Sequence, residues 1–230
     1  MMIDKKFLNK YFKIEETGDY LKLRYPKAAN YIVISKNFEL NEDVASLAGM
    51  MPDGSLIKDL RRVYFHQKKD ITKIYLFKDL LIKLFRPNNT IFIRNGNGTI
   101  DAYTNSRTLA MFLYKILDFS KSDEQMKIPC WIFASSNAVM QAYLTQAFDM
   151  EGTVLKSLHE IRFITKDKRY ANDLHRLLKM LEIRSTVNER IGGTHKTLQY
   201  RISIYGKDNF IKFKEIGFSV PFNKDRFENL

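Results

Sequence analysis

Two acidic residues stand where a helix has least use for them. Asp53 closes the apolar stretch Val44 to Leu56 ("VASLAGMMPDGSL"), and Glu151 closes a second, Ala142 to Leu155 ("AYLTQAFDMEGTVL"). Each acid leads into Gly, a hydroxyl residue and an aliphatic: Asp53-Gly54-Ser55-Leu56 and Glu151-Gly152-Thr153-Val154. The C-terminal end of a helix carries partial negative charge, so a carboxylate there destabilises unless something positive compensates it. Two such acids at matching places imply a paired site for cations. The glycine after each predicts a left-handed C-terminal cap.

A duplicated unit must hold its later landmarks at the offset of its first. The acids lie 98 residues apart (151 − 53). "VYFHQKKD" (Val63 to Asp70) and "IRFITKDK" (Ile161 to Lys168) keep that offset, so Gln67 pairs with Thr165, each 14 residues after its acid (67 − 53 and 165 − 151). "FSK" at Phe119 and "FSV" at Phe218 are 99 apart (218 − 119). Three landmarks in one register predict an internal duplication.

These residues resemble the LAGLIDADG homing endonucleases in their single-chain, two-repeat, archaeal intron-encoded-like form. The nine-position motif aligns with Ser46 to Gly54 and with Leu144 to Gly152, and its penultimate acid, the family's metal ligand, is present in both copies as Asp53 and Glu151. A strand ending in Gln67-Lys68, the segment "KIPCWI" before the second motif and the closing "IGFSVPFNKDRFENL" fit the same family, so the resemblance covers roughly Leu40 to Leu230. The chain departs from the pattern at the sixth motif position, where the first copy has Met51 for Asp, and at the third, where the second copy has Gln146 for a small residue. Close crossing of the motif helices would then fall to Ala48, Gly49 and Ala147. Pro52 lacks a backbone donor and is expected to kink the last turn of the first helix.

The resemblance implies an α+β fold, a pseudo-two-fold pair of αββαββα repeats forming a saddle with a concave antiparallel β DNA-binding face. It implies a metal-dependent, site-specific double-strand DNA endonuclease, a monomer on a long asymmetric duplex target. Phosphodiester hydrolysis needs an activated water, a counter-charge for the phosphorane and help for the leaving oxygen, all of which hard divalent cations on carboxylates supply. Asp53 and Glu151 would hold Mg2+ (or Mn2+). Gln67 would orient the water network, with Thr165 its weaker counterpart, and Lys121 and Lys224 would stabilise developing charge. Two alternatives use the same scaffold: a DNA-binding protein that has lost cleavage, and an RNA maturase whose partner is intron RNA. Retention of both acids favours the nuclease.

The elements that must position these groups are legible in outline. Residues 1–40 form an N-terminal appendage with two strands, Tyr20 to Tyr25 and Tyr31 to Ser35, and carry no assigned chemistry. The first repeat (41–128) reads as the motif helix, a hairpin of Leu56 to Leu60 with Arg62 to Gln67, a helix from Asp70 to about Phe85, two strands joined around Asn95-Gly96-Asn97-Gly98, and a helix from Arg107 to Leu117. "DFSKSDEQMKIP" is polar and breaks helices, and serves as the linker. The second repeat (129–230) repeats the order: helix Ala138 to Met150, strands Gly152 to Leu155 and Glu160 to Thr165, helix Asp167 to Leu181, strands Ser185 to Arg190 and Lys196 to Tyr205, helix Lys207 to Glu215. Near Tyr200 the alternation puts Leu198, Tyr200, Ile202 and Ile204 on a buried face and Gln199, Arg201, Ser203 and Tyr205 on an open one. Such a face suits base edges in the major groove. The DNA-contacting set is therefore Arg62, Arg94, Lys156, Arg162, Arg190, Gln199, Arg201 and Ser203.

Composition agrees with an anionic partner. Lys and Arg number 38 against 26 Asp and Glu, a formal net charge of +12. A single cysteine, Cys130, permits no intramolecular disulfide and points to a reducing interior. With no membrane-length apolar run and no signal-peptide core at "MMIDKKFLNKYF", an intracellular, cytoplasmic, soluble protein without membrane association is expected. The four histidines, His66 among them, show no HExxH spacing, and there is no Walker-type phosphate loop.

Overall fold

The computed structural model describes residues 2–68, 70–96, 98–192, 196–219 and 221–228, with only the backbone of Pro221 and Phe222. Asn97, part of the expected hairpin turn, lies outside the described residues. The chain divides into two compact units, Met1–Glu124 and Gln125–Leu230.

The first unit begins with a short helix, α1 (Lys5–Leu8), and a three-stranded antiparallel sheet, β1 (Lys13–Thr17), β2 (Tyr20–Arg24) and β3 (Ile32–Ser35), in the order β1-β2-β3. The structure thus adds α1 and β1 to the two expected strands. This layer is tied to the rest of its unit by polar and aromatic contacts. Tyr31 N–H donates to Asn88 Oδ1 at 2.7 Å, and the Thr108 hydroxyl donates to Asn30 O at 2.8 Å. The rings of Phe12, Phe38, Phe85 and Phe112 pack with centroids 5.5–5.9 Å apart.

The repeat proper follows as α2 (Glu42–Gly49), β4 (Gly54–Leu56), β5 (Val63–Gln67), α3 (Ile71–Phe85), β6 (Phe92–Asn95), β7 (Ile100–Thr104) and α4 (Arg107–Lys115). The second unit runs α5 (Asn137–Glu151), β8 (Gly152–Leu155), β9 (Glu160–Thr165), α6 (Lys168–Met180), β10 (Thr186–Gly192), β11 (Thr197–Tyr205), α7 (Lys207–Phe213) and then α8 (Pro221–Glu228). Both repeats are αββαββα, and their antiparallel sheets have the same strand order, β4-β5-β7-β6 and β8-β9-β11-β10. Local chemistry sets the boundaries. Asn41, Asp70, Ser106 and Asp167 cap α2, α3, α4 and α6 by accepting from backbone N–H groups of the first turn. In the β6–β7 turn Gly96 N–H donates to Thr99 O, and Gly98 takes φ +81, a conformation that favours glycine.

Each sheet buries one face beneath its helices. In the first unit Val63, Phe65 and Ala102 are fully buried, and Phe65 stacks on Phe77 of α3 at 4.8 Å. In the second, Val154, Ile161, Phe163, Ile202 and Ile204 are fully buried, and Phe163 meets Phe148 of α5 edge to face. Leu198 departs from the expected buried face: it is 49% exposed near the free end of β11. No helix of the described residues is long and apolar enough to cross a membrane.

The motif helices differ in length. Helix α5 runs 15 residues without a break and ends at Glu151 itself. Helix α2 stops at Gly49 after 8 residues, and Met51–Asp53 continue as a single 3-10 turn containing Pro52. Proline cannot donate to Ala48 O, and its ring would collide with that carbonyl in an α-helix, so the expected kink becomes a change of helix type. The glycines after the acids are not left-handed, which corrects the sequence expectation. Gly54 (φ −109, ψ 169) and Gly152 (φ −79, ψ 155) are extended and open β4 and β8 directly. Proximity explains the residue type at Gly152, since a Cβ there would lie 2.3 Å from Phe148 O.

Candidate nucleic-acid interface and acid–glycine junctions

In the first junction Gly54 opposes Phe65, so Gln67, two residues further along β5, comes alongside Asp53. The Gln67 side-chain amide donates to Asp53 Oδ2, and Asp53 is half-buried. The backbone of Lys121 bridges Leu56 in parallel, and Ser122 N–H donates to Leu56 O at 2.9 Å. The Lys121 ammonium is held locally, 3.3 Å from Glu124, 3.8 Å from Asp123 and 5.2 Å above the Tyr114 ring. The hydrogen bond to Glu124 raises its pKa against the opposing effect of desolvation.

In the second junction Gly152 opposes Phe163, and Glu151 is exposed at the end of α5. Thr165, at the position of Gln67, has its hydroxyl engaged by Asp167 N–H at 3.2 Å. Here α8 closes on the junction. Asn223 Nδ2 donates to Gly152 O at 3.1 Å, Arg226 Nη1 approaches Val154 O at 3.4 Å, and Lys224 lies exposed on the same helix. Asp149 at the sixth motif position, occupied by Met51 in the first copy, accepts from Ser219 N–H at 2.9 Å and from the Ser219 hydroxyl. It thereby pins the segment that leads into α8. Asn223, Arg226, Asp149 and Ser219 were not among the sequence candidates; only Asp149 carried a signal, as a motif position.

The open faces of the two sheets present different side chains. On the second, register places Arg190 opposite Gln199, Asn188 opposite Arg201, and Arg162 opposite Ser203. Arg201 Nε is buried without a hydrogen-bonding partner. A Cβ on Gly192 would come within 2.7 Å of both Arg190 Nη2 and Gln199 Oε1, so this glycine leaves the space those two groups occupy. Ser203 must be withdrawn from the DNA-contacting set. It is fully buried, and its hydroxyl donates to Glu160 Oε1 at 2.6 Å. Glu160, only 1% exposed, also takes Arg162 Nε at 3.0 Å and Nη2 at 2.6 Å, which commits Arg162 to a structural pair. Burial pushes the Glu160 carboxyl up, but hydrogen bonds from Arg162 and Ser203 and the Arg162 charge together hold it below 4.5. Lys156 is exposed in a 3-10 turn after β8.

The first open face is aromatic. Tyr64 opposes Tyr103, Tyr103 opposes Phe92, and Arg94 opposes Asp101. Phe92 and Tyr103 stack at 5.3 Å, the Arg62 guanidinium lies 4.9 Å over Tyr103, and Arg62 Nε donates to Asn105 Oδ1 at 2.7 Å. The Tyr64 hydroxyl donates to Asp101 Oδ1 at 2.6 Å; burial first, then that carboxylate, pushes its pKa up to about 12.

Hard oxygen donors suit Mg2+ or Mn2+, and Mg2+ characteristically takes one or two carboxylates and completes its shell with water and phosphate oxygens. Among the described residues no group of three or more His, Cys, Asp or Glu could hold a metal alone. Asp53 and Glu151 each place one hard carboxylate at the junction that opens a strand.

Paired αββαββα repeats, each with an acid at the helix–strand junction and a four-stranded antiparallel sheet, define a class of duplicated sheet proteins. Residues 138–217, within the second unit, match the family described as LAGLIDADG-like domain. Two curated proteins of Methanocaldococcus jannaschii are similar to it: the replication factor C small subunit (26% identical over 89% of this chain) and the probable translation initiation factor IF-2 (24% over 90%). The chain spans only 11% and 18% of their lengths. Among solved structures, I-DmoI in complex with DNA and Mn is 19% identical with a TM-score of 0.57, covering 77% of this chain and 97% of that one. I-DmoI in complex with DNA and Ca is 18% identical with a TM-score of 0.59, covering 83% and 99%. The fold is that of this homing endonuclease.

Proposed function

We propose that the chain is a site-specific double-strand DNA endonuclease that hydrolyses phosphodiesters with Mg2+ or Mn2+, acting as a monomer on a long asymmetric duplex. The observation that carries the reading is the Gln67–Asp53 contact: a junction acid whose carboxylate is oriented by a side-chain amide from the neighbouring strand. A bound divalent ion supplies Lewis acidity and a water of lowered pKa. Asp53 and Glu151 each contribute one hard carboxylate to that site. Gln67 fixes the direction of Asp53 and orients water beside it. Lys224 offers positive charge to the phosphate from a helix anchored at Gly152 and Val154, and Lys121 does so from its place beside Leu56. Arg62, Arg94 and Lys156 meet backbone or groove from exposed positions, while Arg190, Gln199 and Arg201 read bases.

The test is selection of cleaved molecules from a randomised duplex library with Mg2+. One asymmetric sequence should be recovered, and binding to it should weaken steeply with salt as neutralised phosphates release counterions. Duplexes that are bound and never cut would leave a binding protein in place of the nuclease. A flat salt dependence would remove nucleic acid altogether.

A further inference from the structure

We infer that the two sheets read different base chemistry: the first unit's face contacts thymine methyl groups, while the second unit's face donates hydrogen bonds to purine edges. This rests on the DNA reading and deepens it. On the first face two of the polar groups are already engaged within the protein. The Tyr64 hydroxyl is given to Asp101, and Arg62 Nε to Asn105, with the Arg62 guanidinium laid over Tyr103. Beside the exposed Arg94, the face offers a ligand apolar area, above all Phe92, which is 44% exposed in β6 and stacked on Tyr103. The thymine 5-methyl is the apolar group that base pairs present in the major groove.

The second face is the reverse. Arg190 and Gln199 have no side-chain hydrogen-bonding partner among the described residues, and Arg201 Nε is buried and unpaired. A buried donor without a partner costs free energy that an incoming acceptor recovers. Arg and Gln are the side chains that pair in bidentate fashion with guanine and adenine in the major groove. Stacking on unpaired RNA bases is the other use of an aromatic sheet face. It fits less well here, because Tyr103 is already stacked on by both Phe92 and Arg62.

The experiment takes the duplex recovered by site selection and replaces thymine with deoxyuridine, one half-site at a time. Binding is measured with Ca2+ in place of Mg2+, and Arg201→Ala identifies the half read by the second unit. In the other half each lost methyl should weaken binding about threefold to fivefold, the worth of one buried methylene-sized group. The half sensitive to Arg201→Ala should be indifferent to deoxyuridine, and Phe92→Ala should erase the deoxyuridine penalty without altering preference in that half. Equal sensitivity of the two halves, no sensitivity in either, a penalty that survives Phe92→Ala, or tighter binding of single-stranded RNA would each overturn the inference while the duplex-cleaving reading stands. A library that returns no duplex overturns both.

Discussion

The two acid–glycine junctions share a backbone plan and differ in what surrounds it. At the first, Pro52 ends the α-helix early, a 3-10 turn delivers Asp53, and Gln67 from β5 holds the carboxylate. At the second, α5 runs unbroken to Glu151, the residue of β9 at the place of Gln67 is a threonine occupied by a helix turn, and α8 seals the strand through Asn223 and Arg226. The sheets diverge in the same way, one open face largely aromatic, the other richer in polar side chains and holding unspent donors. Strand order, the acid and the glycine are common to both copies. Duplication therefore constrains what places the carboxylate and leaves free what supports it.

The glycines break this comparison most sharply. A Cβ at Gly152 meets a backbone carbonyl at 2.3 Å, whereas at Gly54 the nearest atom is the flexible Met51 Sδ at 3.0 Å. Gly152→Ala should cost about 3 kcal/mol and Gly54→Ala about 1 kcal/mol or less, since only the second neighbour can move aside. Urea unfolding of both variants checks the order, and equal losses would mean that the junctions are packed alike.

Next comes the polar cluster peculiar to the second sheet. Glu160→Gln removes the charge that Arg162 and Ser203 are built around, and should cost about 2 kcal/mol, because a half-buried guanidinium then loses its partner. Asp101→Asn in the first sheet leaves a neutral acceptor for Tyr64 and should cost under about 1 kcal/mol. A reversed ranking in thermal unfolding would show that the aromatic face depends on its carboxylate as much as the charged one does.

The same two groups predict opposite pH behaviour, with smaller effects. The Glu160 carboxyl is held below 4.5, so its contribution is present above the unfolded value and is lost as pH falls through the lower folded one. Tyr64 is raised to about 12, so its contribution is full below 10 and is lost as pH rises toward 12. Carboxyl NMR titration of Glu160, and phenolate absorbance compared with Tyr64→Phe, separate the two. A Glu160 midpoint above 4.5 would contradict the assigned balance of burial and pairing.

Much of this was legible because it repeats. The constant offset places both acids, both amphipathic helices and eight strands, and apolar alternation identifies the buried faces. What was hidden has physical reasons. Strand β1, "KIEET", pairs along its length with β2 yet offers one apolar residue, Ile14, and so has no pattern to detect. The extended glycines were misjudged because their constraint is a contact with Phe148 and Met51, which chain-local rules for φ do not see. Ser203 alternates correctly with Arg201, but Glu160 on the neighbouring strand draws it inward. Helix α8 declares itself through Asn223 and Arg226, whose targets are backbone carbonyls about 70 residues earlier (223 − 152 = 71 and 226 − 154 = 72).

The central proposal is that the two differently supported acids, Asp53 and Glu151, serve one cleavage reaction. It is tested most directly by single-turnover cleavage of the selected duplex with Mg2+, using Asp53→Asn and Glu151→Gln beside the unaltered protein, with binding measured in parallel. Each substitution should lower cleavage on the order of 100- to 1,000-fold while affinity for the duplex stays nearly unchanged. Full cleavage by either variant would contradict a site that needs both carboxylates.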